Sequence, residues 1–459
     1  MLNIKSLIRL LCLSLMFFYC VPELLAQTAA EGGGTPIGQS VGDGITVGSG
    51  GSNPKPVIEI SPYDGGTVTP KARIAISELA VLGGKPGNQT TALPDRLAAN
   101  LDMTGLFVNM DRRSFLETDP RLGVEGQTPP NFEAWDRIGA NYLVKGGISV
   151  SGSKLTLEMR LFNVGQRSQM LGKRYSGSAK EARKLINQFT NDLLEAITGT
   201  PGVFGSEIVF VTGPVQDQVI MVTELGGDQP VQVSKQKGRS TQPTMGPGGR
   251  TAWVHRNGDK WELLVDGKVV SSGPTHMSPA FRPDGTVAAA YSEAQKTSIY
   301  AFNGRNSKTL LSGLGGINVS PTFSPDGSRM AFASNQDGVT SIYIGSANGG
   351  GGASRLTSGA KATDPSWSPT GDFITFVTRE TDICIIRPDG TGFRQLTGGQ
   401  GINHRPSFSP DGRMIVFSST RNGRLQLFVM SANGDNPQPL MPDNRMHQEQ
   451  PYWCPTMPK

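Results

Sequence analysis

The stretch PSFSPDGRMIVFSST, Pro406–Thr420, decides the fold of this chain, because the chain repeats it. Close copies read PTFSPDGSRMAFASN and PSWSPTGDFITFVTR, and a more divergent copy reads PTMGPGGRTAWVHRN. The six copies, the last of them the short PYWCPTMPK, begin at Pro243, Pro279, Pro321, Pro365, Pro406 and Pro451. Repetition of this kind indicates a fold built from one small unit used several times.

The spacing of the copies indicates the kind of unit. Subtracting successive proline numbers gives intervals of 36, 42, 44, 41 and 45 residues. A period near 40–45 with short alternating strands is typical of β-propeller blades. Within a copy, SPDG is a tight turn: Pro fixes φ, Asp bonds the nearby backbone and Gly takes the left-handed position. The strand before this turn should point one large side chain inward, and these are Met245, Phe281, Phe323, Trp367, Phe408 and Trp453.

The short last copy predicts how the ring closes. PYWCPTMPK supplies only a first strand. The strands that this blade lacks stand at the other end of the repeat region, in residues 206–234. We therefore expect residues 203–459 to form a six-bladed propeller in which the C-terminal strand completes the first blade and leaves no free radial edge.

Residues 1–26 have the pattern of a secretory signal peptide. Lys5 and Arg9 supply positive charge, Leu10–Val21 is an apolar run, and small residues follow in LLAQTAA. The run is too short to span a bilayer comfortably, so we expect a cleaved export signal and no direct membrane insertion. Residues 27–54, rich in Gly, Ser and Thr, should form a flexible linker.

Two of the four cysteines lie in the signal peptide. The other two, Cys384 and Cys454, occupy different copies of the repeat and different positions within the copy. Their placement argues against a disulfide between them.

Residues 55–200 should form a small α/β domain. KPVIEIS and ARIAISEL have strand character, and KLTLEMRLFNV alternates so that Leu155, Leu157, Met159 and Leu161 share one face. SAKEARKLINQFTNDLLEAITG is the strongest helix, with a capping box from Ser178 to Glu181. GTPG, residues 199–202, should be a flexible boundary before the propeller.

The sequence offers little catalytic chemistry, and we expect no catalytic residues, no cofactor and no metal. GQSVG, residues 38–42, matches the nucleophile-elbow pattern but lacks the strand and helix that the elbow needs. His276, His404 and His447 each precede a repeat proline, yet a metal site would require them to converge. The net charge of +5 is small and scattered, so no nucleic-acid partner is expected.

The order of these parts resembles the TolB family of the Tol-Pal system: an export signal, a small α/β domain, then a six-fold P-x-[FW]-S-P-D-G propeller. The stretch FEAWDRIGANYLVKGGISVSGSKLTLEMRLFNV, residues 132–164, makes the resemblance more specific, and it covers about residues 55–459. The resemblance implies a periplasmic protein that is not an enzyme. It implies binding of the peptidoglycan-associated lipoprotein Pal through the propeller and of TolA through the N-terminal region, in support of outer-membrane integrity and cell division.

The resemblance also places the partner sites. The N-terminal partner strand would be Val57, Ile58, Glu59 and Ile60, although a Gly-rich stretch precedes it here. On the propeller, the crossings between blades should ring the channel mouth and expose polar side chains. The predicted Pal-binding residues are His276, Asn318, Ser320, Thr363, Asp364, Asn403, His404, Arg405, His447 and Glu449.

Two other interpretations stay open at this stage. One is a stand-alone propeller that binds a small ligand. The other is a propeller relic of a serine peptidase, in which the repeat phrase also occurs. A peptidase would require a further domain carrying a nucleophile elbow, and the chain stops at Lys459, so we expect no such domain.

Overall fold

The computed structural model describes residues 71–458 except 125–127, 228, 294–295, 305–306 and 443–445. The predicted signal peptide, the linker and the strand around residues 57–60 lie outside the described residues. None of the helices in the described part has the length and hydrophobicity that a bilayer crossing requires.

In its described residues, the α/β domain contains one mixed sheet and three α-helices. Its strands are β1 (Ala72–Ile76), β2 (Ala80–Gly83), β3 (Phe107–Asn109), β4 (Tyr142–Ser151), β5 (Lys154–Asn163) and β6 (Ser168–Ser178). Its helices are α1 (Gln89–Thr104), α2 (Phe132–Arg137) and α3 (Ala182–Thr198), with short 3-10 turns at Arg112–Ser114 and Ala179–Glu181. The strand order is β3-β1-β4-β5-β6, with β2 also paired to β4. β1 runs parallel to β3 and β4, and the β4-β5-β6 part is antiparallel.

The predicted patterns of β5 and of the last helix are confirmed. The alternating face of β5 is buried, with Leu155, Leu157 and Leu161 fully covered by α3 and the sheet. At the start of the last helix, the Ser178 backbone N–H donates to the Glu181 carboxylate at 2.8 Å, as a capping box requires. Gly199 ends the helix in the left-handed conformation, with φ of 75°.

The propeller has six four-stranded blades. Blade 1 contains β7 (Glu207–Thr212), β8 (Val219–Glu224), β9 (Val231–Gln232) and the C-terminal β30 (Glu449–Trp453). Blade 2 contains β10 (Ser240–Met245), β11 (Thr251–Asn257), β12 (Lys260–Val265) and β13 (Lys268–Gly273), with a 3-10 turn at Pro247–Gly249. Blade 3 contains β14 (His276–Phe281), β15 (Val287–Glu293), β16 (Lys296–Phe302) and β17 (Lys308–Ser312).

The remaining three blades follow the same order. Blade 4 contains β18 (Asn318–Phe323), β19 (Arg329–Ser334), β20 (Ser341–Ser346) and β21 (Ser354–Arg355). Blade 5 contains β22 (Ala362–Trp367), β23 (Ile374–Thr378), β24 (Asp382–Ile386) and β25 (Arg394–Gln395). Blade 6 contains β26 (Asn403–Phe408), β27 (Met414–Ser419), β28 (Gln426–Ser431) and β29 (Gln438–Pro439). Innermost strands of neighbouring blades contact one another around the whole ring.

The repeated phrase has the predicted roles. Each inward aromatic is buried against the preceding blade: Phe323 packs with Ile299 of blade 3, and Trp367 packs with Ile342 of blade 4. In the SPDG turn of blade 4, the Gly327 N–H donates to the Ser324 carbonyl at 2.9 Å and Gly327 has a φ of 70°. The turn therefore reverses the chain, and the aromatic fills the gap between blades.

The ring closes as predicted. β30 pairs antiparallel with β7, so that Trp453 lies opposite Ile208 in blade 1. The Trp453 indole is 1% exposed, and its Nε1–H donates to Ser206 Oγ at 2.7 Å. The C-terminal strand thus joins the two ends of the propeller in one sheet.

The α/β domain and the propeller share one core on either side of residues 199–202, the boundary that the sequence predicts to be flexible. Phe189 and Leu193 of α3 belong to the same buried cluster as Val416 of blade 6. A side-chain carbon at Gly202 would lie 2.6 Å from Leu194. Gly202 therefore allows the chain to pack closely against α3 at this point.

Cys384 and Cys454 are free thiols, as predicted. Both are buried, in separate clusters. Burial raises the pKa of Cys384 to about 12, so this thiol is not a reactive thiolate at neutral pH.

Candidate functional site: the propeller channel and its two faces

The two ends of the propeller channel differ in what covers them. We call the end that carries the blade-to-blade connections the crossing face, and the end that carries the SPDG turns the turn face. The α/β domain packs on the turn face. Asn436 Nδ2, in a turn-face hairpin of blade 6, donates to the Asp102 carbonyl at 2.7 Å. Arg413, in the SPDG turn of blade 6, donates to Thr198 Oγ1 at 2.8 Å.

Every innermost strand carries a β-bulge just before the repeat proline. In blade 4, Val319 pairs with Ala333 and Thr322 with Ala331. Between these pairs, two residues of β18 therefore lie opposite a single residue of β19. The other five blades show the same register shift. The extra residue in each blade has a φ between +49° and +54°; these residues, the channel belt, are Gln242, Ser278, Ser320, Asp364, Arg405 and Gln450.

The belt conformation has a physical cause. The following proline disfavours the right-handed helical region for the residue before it, and the bulge cannot be formed by extended backbone alone. The left-handed region remains, at a cost of roughly 1–2 kcal/mol for a residue other than glycine. Strained positions of this kind persist when the surrounding structure holds them.

Hydrogen bonds between neighbouring blades hold the belt. Gln450 Oε1 accepts from the Gln242 backbone N–H at 2.8 Å, and Gln242 Oε1 accepts from the Ser278 N–H at 2.5 Å. Ser278 Oγ and Ser320 Oγ are 3.3 Å apart. At the junction of blades 5 and 6, Arg405 Nε lies 3.3 Å from Asp364 Oδ1, in an ion pair whose carboxylate is 1% exposed.

The channel contains a cavity of about 400 Å³. Its lining comprises the belt, the repeat prolines and the prolines of the SPDG turns, such as Pro325 and Pro410. The cavity therefore extends from the belt toward the turn face. Of the ten residues predicted to form the mouth, Ser320, Asp364 and Arg405 line it.

Several predicted mouth residues are structural instead. Asn318 and Asn403 are 0% exposed. Asn318 Nδ2 donates to the Thr297 and Leu314 carbonyls, each at 3.0 Å, and Asn403 Nδ2 donates to the Thr381 carbonyl at 2.7 Å. The prediction that these two amides are exposed is wrong, because each is used to hold a blade to its neighbour.

His276 is also buried rather than exposed at the mouth. It is 1% exposed, and its ring lies 4.8 Å from the ring of Tyr291 and 5.7 Å from that of Phe302. Neither ring nitrogen has a hydrogen-bond partner. In the described part of the chain, no three His, Cys, Asp or Glu side chains come together as a metal site.

Three of the predicted residues do lie partly exposed on the crossing face: Thr363 and His404 are half-buried and the His447 side chain is 48% exposed. Burial lowers the pKa of His404, against the opposing effect of Asp364. The Glu449 carboxylate, 3.8 Å from His447 Nε2, raises the pKa of His447. Glu449 itself is buried and accepts a hydrogen bond from Gln218.

Belt residues Gln242, Ser278 and Gln450 were not among the predicted site residues. The signal for them was present in the sequence, since each stands immediately before a repeat proline. The predicted N-terminal partner strand, Val57, Ile58, Glu59 and Ile60, lies outside the described residues.

His276 should make the protein less stable in acid. Burial, and then the charge of Lys308, lower its folded-state pKa to about 4, whereas an unfolded histidine titrates near 6.5. Only the unfolded chain takes up this proton between those pH values, so folding stability falls as the pH drops from about 6.5 to 4, by about 3 kcal/mol in total.

Urea unfolding of wild type and His276→Phe at pH 7 and pH 4.5 measures this effect. The stability of the variant relative to wild type should increase at the lower pH. His447→Phe is the matched control and should show the opposite trend, because the His447 pKa is raised. Parallel pH profiles for wild type and His276→Phe would contradict the prediction.

The family models and the curated relatives indicate one family. A family model described as the TolB beta propeller domain matches residues 194–457, and one described as the TolB amino-terminal domain matches residues 58–170. A protein TolB homolog of Chlorobium luteolum is 35% identical over 386 residues, covering 81% of this chain and 87% of the relative. The Tol-Pal system protein TolB of Desulfosudis oleivorans is 34% identical over 233 residues, covering 49% of this chain and 50% of the relative.

A solved structure shares the fold. The crystal structure of TolB from Acinetobacter baumannii superposes with a TM-score of 0.72 at 22% identity, over 84% of this chain and 97% of that chain.

Proposed function

This chain belongs to the TolB family, and from that premise we propose that it is a periplasmic, non-catalytic binding component of the Tol-Pal system. It binds the peptidoglycan-associated lipoprotein Pal through the crossing face of the propeller. It contacts TolA through its N-terminal region. Through these contacts it supports outer-membrane integrity and cell division.

The observation that carries the Pal site is the contrast between the two faces. The turn face is partly occupied, because the α/β domain packs on blades 1 and 6 there. The hydrogen bonds from Arg96, Arg413 and Asn436 that join the two domains all lie on the turn face, away from the crossing face. The crossing face presents Thr363, His404 and His447 on a closed and rigid ring. A partly exposed polar surface on a rigid scaffold favours protein recognition.

The predicted Pal-binding residues contribute in different ways to this proposal. Thr363, His404 and His447 would contact the partner directly. Ser320, Asp364 and Arg405 line the channel beneath them, Glu449 lies beside His447, and His276, Asn318 and Asn403 support the blades. The proposed TolA contact rests on the strand pattern of Val57, Ile58, Glu59 and Ile60 together with family membership.

Substitution on the crossing face should weaken Pal binding without unfolding the protein. We expect the double variant His404→Ala/His447→Ala to lose roughly 10- to 100-fold in affinity, the range for central interface residues. Isothermal titration calorimetry with the purified soluble domain of Pal measures it. Arg405→Glu is unsuitable as a test, because it would place a second carboxylate beside the buried Asp364.

The matched control is Phe393→Ala, which removes a 58% exposed aromatic from the turn face of blade 5. It should bind Pal as wild type does. If the crossing-face variant and the control bind with the same affinity as wild type, the Pal site lies elsewhere, and the α/β domain becomes the next candidate.

A further inference from the structure

The crossing face is electrically uneven. Around the junction of blades 1 and 2 it is formed by the hairpins 213–218 and 256–260 and by the crossing 234–239. These three segments carry two carboxylates, Asp217 and Asp259, against five cationic side chains, a net charge of +3. We call the five the basic arc; they are Lys235, Lys237, Arg239, Arg256 and Lys260.

The basic arc is exposed and available. Lys235, Lys237, Arg256 and Lys260 are exposed. Arg256 Nε donates to the Gly258 carbonyl at 3.2 Å, and Arg239 Nε donates to the Gln218 amide oxygen at 2.9 Å. Both guanidinium groups therefore use neutral acceptors in these contacts, so their charge is not cancelled by a carboxylate there.

The crossing 234–239 is bonded to both of the blades that it connects. Asp217 of blade 1 accepts from the Gly238 N–H at 3.0 Å. Arg239 stacks 5.8 Å from the Trp261 ring of blade 2, and its carbonyl accepts from the Arg256 N–H at 2.9 Å. The arc is thus a fixed feature next to the mouth, and Gln218 links it to Glu449 of the closing strand.

On the opposite side of the ring, the crossing face carries a net negative charge. In a ring of six, blades 4 and 5 lie across from blades 1 and 2. The corresponding segments there are 335–340, 357–361 and 378–382, and they carry two cations against three carboxylates, a net charge of −1. One of those cations, Lys361, is paired with Glu380 at 2.6 Å. A charge gradient therefore runs across the channel mouth.

This gradient bears on how a partner docks. The six blades are nearly equivalent in backbone geometry, so shape alone offers a partner six similar rotational positions. Charge complementarity suppresses wrong arrangements and steers diffusional encounter. We propose that the basic arc receives an acidic patch on the protein partner of the crossing face and so fixes the rotation of that partner about the channel axis.

This inference rests on the proposed function, because it concerns the partner that docks on the same face. The test variant is Lys235→Glu/Lys237→Glu. The control is Lys268→Glu/Lys154→Glu, which makes the same change in net charge at exposed lysines on the turn face and in the α/β domain. Association rates with the soluble domain of Pal are measured at low and high salt.

We expect the arc variant to associate at least about tenfold more slowly than wild type at low salt, because charges on an interface rim act mainly on the association rate. The difference should shrink at about 0.5 M salt, where screening acts within a few ångströms. The control should associate like wild type. Carbodiimide cross-linking of the wild-type complex should join Lys235 or Lys237, but not Lys268, to partner carboxylates.

Equal association rates for the arc variant and the control would overturn the inference. So would cross-links at Lys268 without any at Lys235 or Lys237. If the arc variant keeps its rate with Pal but loses binding to phosphatidylglycerol vesicles, the arc is a lipid contact and the inference is wrong. Absence of any binding by wild type would instead refute the proposed function.

Discussion

Removing residues 451–459 should abolish cooperative unfolding of the propeller or cause aggregation. The deletion removes most of β30, including Trp453, and leaves β7 with an unpaired edge inside the channel. It also opens the core shared with blade 6, since Trp453 belongs to the same buried cluster as Met414 and Val416. The backbone N–H of Trp453, which donates to Ser407 Oγ at 3.0 Å, is lost as well. Thermal and urea unfolding followed by circular dichroism measure the effect.

A point variant separates the lost side chain from the lost strand. Trp453→Ala should cost about 3–5 kcal/mol, the range for truncating a large buried aromatic. Phe393→Ala, at a mostly exposed aromatic, should change stability by about 0.5 kcal/mol or less. A truncated protein with unchanged, cooperative melting would show that the C-terminal strand does not close the ring.

The second large effect is expected in the α/β domain, where Glu117→Ala should cost about 3–5 kcal/mol. Lys145 and Glu117 form an ion pair with Nζ–Oε1 of 2.8 Å and side chains only 1% and 4% exposed. Lys145 Nζ also donates to the Asp119 carbonyl at 2.9 Å, and Glu117 Oε2 accepts from the Asn131 N–H at 2.5 Å. Removing the carboxylate leaves a buried ammonium group without its counter-charge.

Urea unfolding of two further variants tests this explanation. Lys145→Met/Glu117→Leu removes both charges, and replacing a buried pair with apolar groups is often neutral or stabilising. It should therefore be more stable than Glu117→Ala alone. Glu158→Ala breaks an ion pair with Arg174 whose side chains are 28% and 70% exposed, and should cost less than about 1 kcal/mol. Similar costs for Glu117→Ala and Glu158→Ala would contradict the prediction.

The two sites differ in how far sequence could predict them. The role of Trp453 follows from the repeat, because a sixth copy reduced to one strand must find its partners elsewhere. Lys145 lies in YLVKGGISV, and nothing in that sequence pattern distinguishes a buried lysine from an exposed one. Its burial depends on Glu117, which approaches from a loop 28 residues earlier in the chain.

On the crossing face, too, some features could be predicted from sequence and others could not. Asn318, His276 and Asn403 share a position two residues before the belt, and sequence gave no reason to treat them as buried. The structure buries all three. Asn318 and Asn403 bond to carbonyls of the preceding blade, whereas His276 packs on aromatic rings of its own blade. Thr363 and His404, one residue later, stay half-buried. Which residue of a crossing faces solvent is therefore set by packing within and between blades.

By itself, then, the sequence determined the repeat, the number of blades, the turn chemistry and the closure by the last strand. These properties are local or periodic, so residue types at fixed spacing are enough to express them. Tertiary structure alone decided the left-handed belt, the buried Lys145–Glu117 pair, the packed boundary at residues 199–202 and the charge gradient across the mouth. Each of these arises from groups distant in the chain, and their energies depend on burial and on neighbours that exist only once the ring has closed.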